Sequence, residues 1–393
     1  MKHTGMLRSG TKTLLDAIFE HAGSESPVLW GRGYLGEAAK EATGVDYNAS
    51  LTGTALIVSS RARPGQGLRA LAERKGRFAC FSGDSLVAAR IEVDGLKPGV
   101  LTRADCAKVA KGVELLDGPR DALFEGYWNL VQENGLAIAK QAGRFTDPLA
   151  IPDQVEVRGP PSNLRIHPEA EVERHVTFDA RLGPIVIGAG AAVESFSLVM
   201  GPCFIGPKVK LYSALIGGGT SIFDSCRVGG QVENSILSPF SNKAHNGYVG
   251  DSYVGEWVNL GAGCNFSNLK NTYGSVKVTL GTKRLDTGMV KLGPAVGDMS
   301  KASIGALVFA GKLLGTGCQL TGLAQGNVPS FTYLAAGGRP VELLLESVLE
   351  TQRRMMERRG KTLTPKGEGL VKSAFRSTAA ERKAAGVRKG KIS

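Results

Sequence analysis

An aliphatic side chain recurs at every sixth position through the middle of this chain, and few folds accommodate that spacing. Ile187, Val193, Val199, Ile205 and Leu211 are evenly placed. Ile166, Val172 and Phe178 keep the spacing upstream, and Ile216, Ile222 and Val228 keep it downstream. An amphipathic helix repeats its apolar face near 3.6 residues and a half-buried strand near 2, so neither fits. Gly, Pro, Ala, Ser and Cys fill the gaps, as in IGAGAAVESFSLVMGPCFIGPKVKL. Short strands joined by tight turns, three to a triangular coil, satisfy this pattern, and the fold is a parallel β-helix of hexapeptide repeats. Ile151 to Gly326 would supply roughly nine or ten coils of about 18 residues, enough to bury a continuous stack. A β-sandwich of short strands would not keep one phase through five successive sixes. The 53 glycines, about twice the ordinary frequency, supply the corners.

The flanks read differently, and the fold class is therefore mixed. Residues 1–147 form an expected α/β domain: LLDAIFEHAG and GYLGEAAKEA as helices, ALIVSS and FACFSGDSLVAARIEV as strands, and DALFEGYWNLVQENGLAIAKQ as a longer helix feeding the repeat. Residues 148–335 hold the β-helix. Residues 336–393 hold a C-terminal helix opened by Pro340, with Val341, Leu344, Leu345, Val348 and Leu349 on one face, then a mobile basic tail.

Charge separates the tail from the body. From Arg353 to Ser393 there are thirteen Lys/Arg against three Glu, so ten of the chain's twelve net positive charges lie there. Only Phe375 interrupts these charges as an aromatic, which reads as a solvated tail rather than a nucleic-acid surface. Cys80, Cys106, Cys203, Cys226, Cys264 and Cys318 are widely spaced, with no C-x-x-C pair, and read as small buried residues. No apolar window reaches membrane-span length and no signal peptide opens the chain, so the expected compartment is the cytoplasm, with no membrane contact. Gly31-Arg32-Gly33-Tyr34-Leu35-Gly36 follows an apolar run as a dinucleotide loop does. No acidic residue ends a second strand about 20 residues on, so it reads as a turn.

The densest polar run interrupts the repeat. Ser241-Asn242-Lys243-Ala244-His245-Asn246-Gly247-Tyr248-Val249-Gly250-Asp251 is followed by Glu256-Trp257-Val258-Asn259-Leu260-Gly261-Ala262-Gly263 and Asn268-Leu269-Lys270-Asn271-Thr272-Tyr273-Gly274. His245 is one of five histidines. Stacking one coil on the next puts Asn259 and Gly263 near it, and an imidazole there suits proton transfer at neutral pH. His167 and His175 precede the dense repeat with no polar cluster around them and read as surface or corner residues.

The strings K-A-H-N-G-Y-V-G-D-S-Y-V-G, G-E-W-V-N-L-G-A-G and S-N-L-K-N-T-Y-G on a hexapeptide rank resemble the bifunctional N-acetylglucosamine-1-phosphate uridyltransferase/glucosamine-1-phosphate acetyltransferase family. The similarity is greater still to its variant branch of sugar nucleotidyltransferase/acetyltransferase-like proteins. The resemblance is firm over about 150–335 and weak before that. It implies a left-handed β-helix, a homotrimer and acetyl-CoA as co-substrate bound between subunits. It also implies acyl transfer to a sugar phosphate or nucleotide sugar on the route to UDP-N-acetylglucosamine. Carried across, His245 is the general base, Tyr248 and Asn259 contact the substrate, and Ala262 with Gly263 faces the CoA. Asn268 or Asn271 matches a further substrate asparagine. Two family cations are missing: Glu233 stands where a phosphate-holding lysine is expected, and Leu215 to Gly219 contains no arginine. Each lost charged hydrogen bond is worth about 1.5–3 kcal/mol, which points to a different acceptor or to Lys243 or Arg227 as the phosphate ligand.

The family's L-x-x-G-x-G-x-R nucleotide loop is absent from Met1 to Gly143, so the first domain reads as a degenerate or truncated nucleotidyltransferase. Leu7-Arg8-Ser9-Gly10 matches an L-R-x-G stretch that a T-R-P segment precedes in the variant branch. Retained nucleotidyl transfer, with Mg²⁺, is one alternative and requires an upstream extension carrying the loop. A non-catalytic trimeric scaffold is the other.

Overall fold

The computed structural model describes residues 6–23, 27–94, 96, 101–109, 112–145 and 154–390, in two compact units. The first comprises residues up to Arg8 and Lys12–Gly126, and the second comprises Ser9–Thr11 and Tyr127–Ser393. The helix Tyr127–Gln141 thus belongs with the repeat, and the boundary falls at Gly126 rather than at residue 147.

The first unit is α/β. Strand Ser85–Glu92 pairs antiparallel with Thr54–Val58 and Phe78–Ser82, and Phe78–Ser82 pairs parallel with Glu114–Asp117. FACFSGDSLVAARIEV is therefore a hairpin, turned at Gly83 with φ of 57°. Helices Leu14–Ala22 and Gln66–Glu73 pack Ile18 and Leu68 into one core with Phe78 and Val87. In the Gly31–Gly36 segment both polar backbone groups of Gly31 bond the Asn48 amide, at 2.9 and 3.0 Å. This closes the segment as a turn.

The second unit is a three-faced parallel β-helix. One face is an eight-stranded parallel ladder from Leu164–Ile166 to Leu313–Leu314. The other two merge where Lys210–Ile216 and Arg227–Glu233 run without a break around a corner. The six-residue period lands inside: Ile187 stacks on Ile205, and that on Ile222. Val193 stacks on Leu211, and that on Val228. All are buried. β-Branched and leucine side chains stacked in register hold each coil to the next, which is where this fold gains its cohesion. All six cysteines are free and buried, as small interior residues.

Helix Tyr127–Gln141 is pinned to the early coils by one buried amide. Asn134 Oδ1 accepts from Gly10 N at 2.7 Å, and its Nδ2 donates to Gly219 O at 2.7 Å and to Ser221 Oγ at 2.9 Å. After Phe266 the repeat is interrupted by a hairpin, Lys277–Leu280 with Lys283–Asp286, whose Val276 and Val278 bury against Trp128.

As far as residue 390 the C-terminal segment is folded, which corrects the expectation of a mobile tail. Helices Leu345–Glu357, Pro365–Ser377 and Ala379–Ala384 follow one another, and Val371 and Ala374 are buried. Arg382, 2% exposed, donates to Glu342 Oε2 at 2.6 Å, Thr378 Oγ1 at 2.7 Å and Phe375 O at 2.8 Å. Its guanidinium lies 4.2 Å from the Phe375 ring centroid, and Phe375 meets Phe331 edge to face. The apolar residues anchoring this segment are too few and too diluted by lysine and glycine to give a helical period in the sequence.

Candidate functional site

The polar run forms a corner of the β-helix. Strand Asn242–Lys243 lies on one face and Gly247–Gly250 on the next, with exposed His245 and Asn246 at the turn. Gly247 makes the turn possible: its φ is 127°, and a Cβ there would sit 2.1 Å from Cys264 O. His167 and His175 are exposed, and His175 (φ of 61°) stacks on Phe196.

Lys243 points into the interior of the coil. It occupies the stack position between Val228 below and the strand Asn259–Leu260 above, and it is 2% exposed. Its Nζ donates to Gly229 O at 2.8 Å and to His245 O at 2.6 Å. Burial disfavours the ammonium and lowers its pKa to about 8. That inward position does not suit the substrate contact expected of Lys243. Lys243 ties the backbone of the His245 corner to the coil below.

Tyr248 begins a chain of polar side chains. Its hydroxyl donates to Glu233 Oε1 and accepts from Asn268 Nδ2 at 2.8 Å. Asn268 Nδ2 also donates to Asp251 Oδ2 at 2.5 Å, and Asp251 Oδ1 accepts from Asn234 Nδ2 at 2.6 Å. Burial first, then the Glu233 carboxylate, pushes the Tyr248 phenol well above its ordinary range, so it stays a donor. Glu233, the residue at the place of a family cation, thus engages the tyrosine itself. Of the two asparagines that sequence could not separate, Asn268 is buried in this network and Asn271 is exposed. Asn234 lay outside the polar run, and Asp251 within it had no assigned role, because their contacts depend on stacking rather than on any motif.

Asn259 stacks on Asn242, accepting from its Nδ2 at 3.3 Å, and does not lie over His245. The coil here is a residue shorter than eighteen, which shifts the stack. The residues over the corner are Ala262 and Gly263. Gly263, with φ of 73°, donates its N–H to Asn246 O at 2.8 Å. The N–H groups of Asn259, Gly261 and Gly263 are all spent on coil-to-coil bonds. Ala262 is exposed, its carbonyl accepts from Gly305 N at 2.7 Å, and its own N–H has no partner among the described residues.

No family model matches the chain. A bifunctional sugar-1-phosphate nucleotidylyltransferase/acetyltransferase of Sulfurisphaera tokodaii is 28% identical over 204 residues, 49% of this chain and 44% of the relative. The bifunctional protein GlmU of Desulfitobacterium hafniense is 35% identical over 136 residues, 30% of this chain and 29% of the relative. GlmU of Alkalilimnicola ehrlichii is 28% identical over 248 residues, covering 58% and 50%.

The chain resembles the bifunctional sugar-1-phosphate nucleotidyltransferase/acetyltransferases.

It spans half the length or less of these three relatives. Among solved structures, the UDP-N-acetylglucosamine acyltransferase of Francisella novicida overlays 61% of this chain and 94% of its own at a TM-score of 0.28 and 13% identity. The Arabidopsis enzyme of the same name covers 60% and 82% at 0.30 and 15%. These overlays are too loose to add to the fold described above. Among the described residues no group of three or more His, Cys, Asp or Glu could hold a metal ion. No helix of the described residues is long and apolar enough to cross a membrane.

Proposed function

We propose that this chain is an acyltransferase that moves an acyl group from acetyl-CoA to an amino group of a sugar phosphate or nucleotide sugar, with His245 as general base. One conjunction carries the reading: an exposed imidazole on a corner whose backbone Lys243 fixes, with an unspent Ala262 N–H stacked over that corner. The imidazole takes a proton as the amine nitrogen attacks the thioester carbonyl. The Ala262 N–H, in place of the three occupied amides, steadies the developing oxyanion. The C–S bond then breaks, and the leaving thiolate receives the proton from His245.

Tyr248, Asn259 and Asn268 orient the acceptor, with Gly263 beside the CoA. The left-handed winding and cytoplasmic setting expected from the resemblance belong to the same proposal, as does the homotrimer. Leu307 and Leu323, in register on one face and exposed together with Ile304 and Phe309, give such an assembly an apolar surface to cover.

Calorimetry with acetyl-CoA, followed by mass analysis of products from a panel of hexosamine phosphates, tests this. Binding with product formation lost in His245→Ala is expected. No binding at millimolar acetyl-CoA would overturn the reading and leave the scaffold.

A further inference from the structure

Beside the strand Asn242–Lys243, arginines gather with no carboxylate of the described residues in ion-pair contact, although Asp224 and Glu256 lie close enough to act on the neighbouring Cys226. Arg359, half-buried just beyond helix Leu345–Glu357, donates from Nη2 to Asn242 Oδ1 at 2.5 Å and from Nη1 to Ser225 O at 3.1 Å. Both acceptors are neutral. Arg227 stacks in register with Asn242 on the next coil, and Lys210 with Arg227 on the coil after that. Burial, and then the nearness of Arg227, lowers the pKa of Arg359, with Arg358 adding a smaller push. The side chains of Arg227, Arg358 and Lys210 have no hydrogen-bond or carboxylate partner among the described residues.

Several other arginines of this unit are paired with carboxylates. Arg353 pairs with Glu350 and Glu368, Arg382 with Glu342, Arg181 with Asp179 and Arg158 with Glu156. Holding like charges together costs energy that a bound anion would offset, and most N–H donors of Arg227 and Arg359 remain open to one.

We infer that Arg227, Arg359 and Asn242 form an anion subsite that binds a phosphate group, as monoester or pyrophosphate. The guanidinium fork matches phosphate oxygens in bidentate fashion, which an ammonium at the same place would not. Arg359 comes from the C-terminal segment, so the folding-back of that segment completes the subsite. Asn242 carries the connection onward to Asn259 through its Nδ2. Two sources share this chemistry: the phosphates of a nucleotide carrier such as CoA, and a phosphate on the acceptor sugar. The subsite does not depend on His245 acting as a base.

Calorimetry on the full chain with inorganic pyrophosphate at low salt tests the subsite, comparing wild type with Arg227→Gln and Arg359→Gln. Each variant is expected to bind at least tenfold more weakly, with wild-type binding falling as salt rises. Arg227 holds no part of the C-terminal segment, so its variant reports on the anion even if Arg359→Gln loosens that segment. Arg359→Lys should restore binding only in part. Competition of pyrophosphate with CoA but not with glucosamine 1-phosphate, or the reverse, identifies the source. Pyrophosphate binding that is absent, or unchanged in both variants, overturns the subsite, even if acetyl-CoA binds and His245→Ala abolishes transfer. Binding lost in both variants with no acyl transfer in wild type would sustain the subsite and sink the catalytic reading instead.

Discussion

The Nζ of Lys243 donates to the carbonyl of His245 at 2.6 Å from inside the aliphatic stack of the β-helix. An ammonium-bearing side chain thus fills a position that valine and leucine fill in the coils on either side, Val228 and Leu260. Aliphatic packing is given up there, and the backbone of one exposed corner is fixed in return.

That burial sets a pH signature. The folded pKa of Lys243 is lowered to about 8 from 10.5, so the unfolded chain holds the extra proton between those values. Stability should therefore rise with pH across the window. The penalty is full below the folded value, at most roughly 3 kcal/mol, and gone above the unfolded one. Thermal unfolding of wild type and Lys243→Met from pH 7 to 10.5 isolates this, since Lys301, lowered similarly, is common to both. Wild type should gain on the variant as pH rises. Parallel curves would contradict the assignment.

Glu233 and Tyr248 should separate in a spectroscopic titration. Glu233→Gln keeps an acceptor for the hydroxyl but removes the charge, so the phenol should titrate lower than in wild type. It should stay above an ordinary tyrosine, because burial is the larger cause. Ultraviolet difference titration against Tyr248→Phe, which removes the signal, reads this directly. A titration unmoved by Glu233→Gln would mean that the pair is broken in solution.

The two asparagines give opposite outcomes. Asn268→Ala leaves Asp251 with one amide donor of two and the Tyr248 hydroxyl without its own, which should cost about 1–3 kcal/mol. Asn271→Ala, on an exposed residue, should fall within about 0.5 kcal/mol of wild type. Urea unfolding of both variants decides it, and equal losses would refute the network.

Gly247→Ala should be far more damaging than Gly305→Ala. Both glycines have positive φ, but only at Gly247 does a Cβ meet backbone, at 2.1 Å from Cys264 O, while nothing lies within 4 Å at Gly305. We expect about 1 kcal/mol at Gly305 from strain alone and several times that at Gly247. Denaturant midpoints of the two variants would show the contrast.

Arg382 should control protease access to the C-terminal segment. Its side chain is buried, makes three hydrogen bonds and sits against Phe375, so Arg382→Ala leaves Glu342 without its partner. Wild type should resist trypsin between Arg353 and Arg382, and the variant should be cut there promptly. Equal cleavage would mean that the segment is not held in solution.

The β-helix was legible because its cause is periodic. Stacked coils require an aliphatic residue at a fixed interval, and Ile187 through Leu211 display that interval in the linear chain. The polar run around His245 and Tyr248 was legible as a break in that interval. Whether a lysine beside them faces solvent or core depends on register, and here a shortened coil places Lys243 inside the stack and Asn259 over Asn242. The Glu233–Tyr248–Asn268–Asp251–Asn234 chain joins three successive coils, and Arg359 reaches Asn242 across more than a hundred residues. Sequence alone determined the repeat and the corner that interrupts it. The tertiary structure decided which polar groups meet, because contacts between coils depend on stacking register and on a C-terminal anchor whose few apolar residues carry no period.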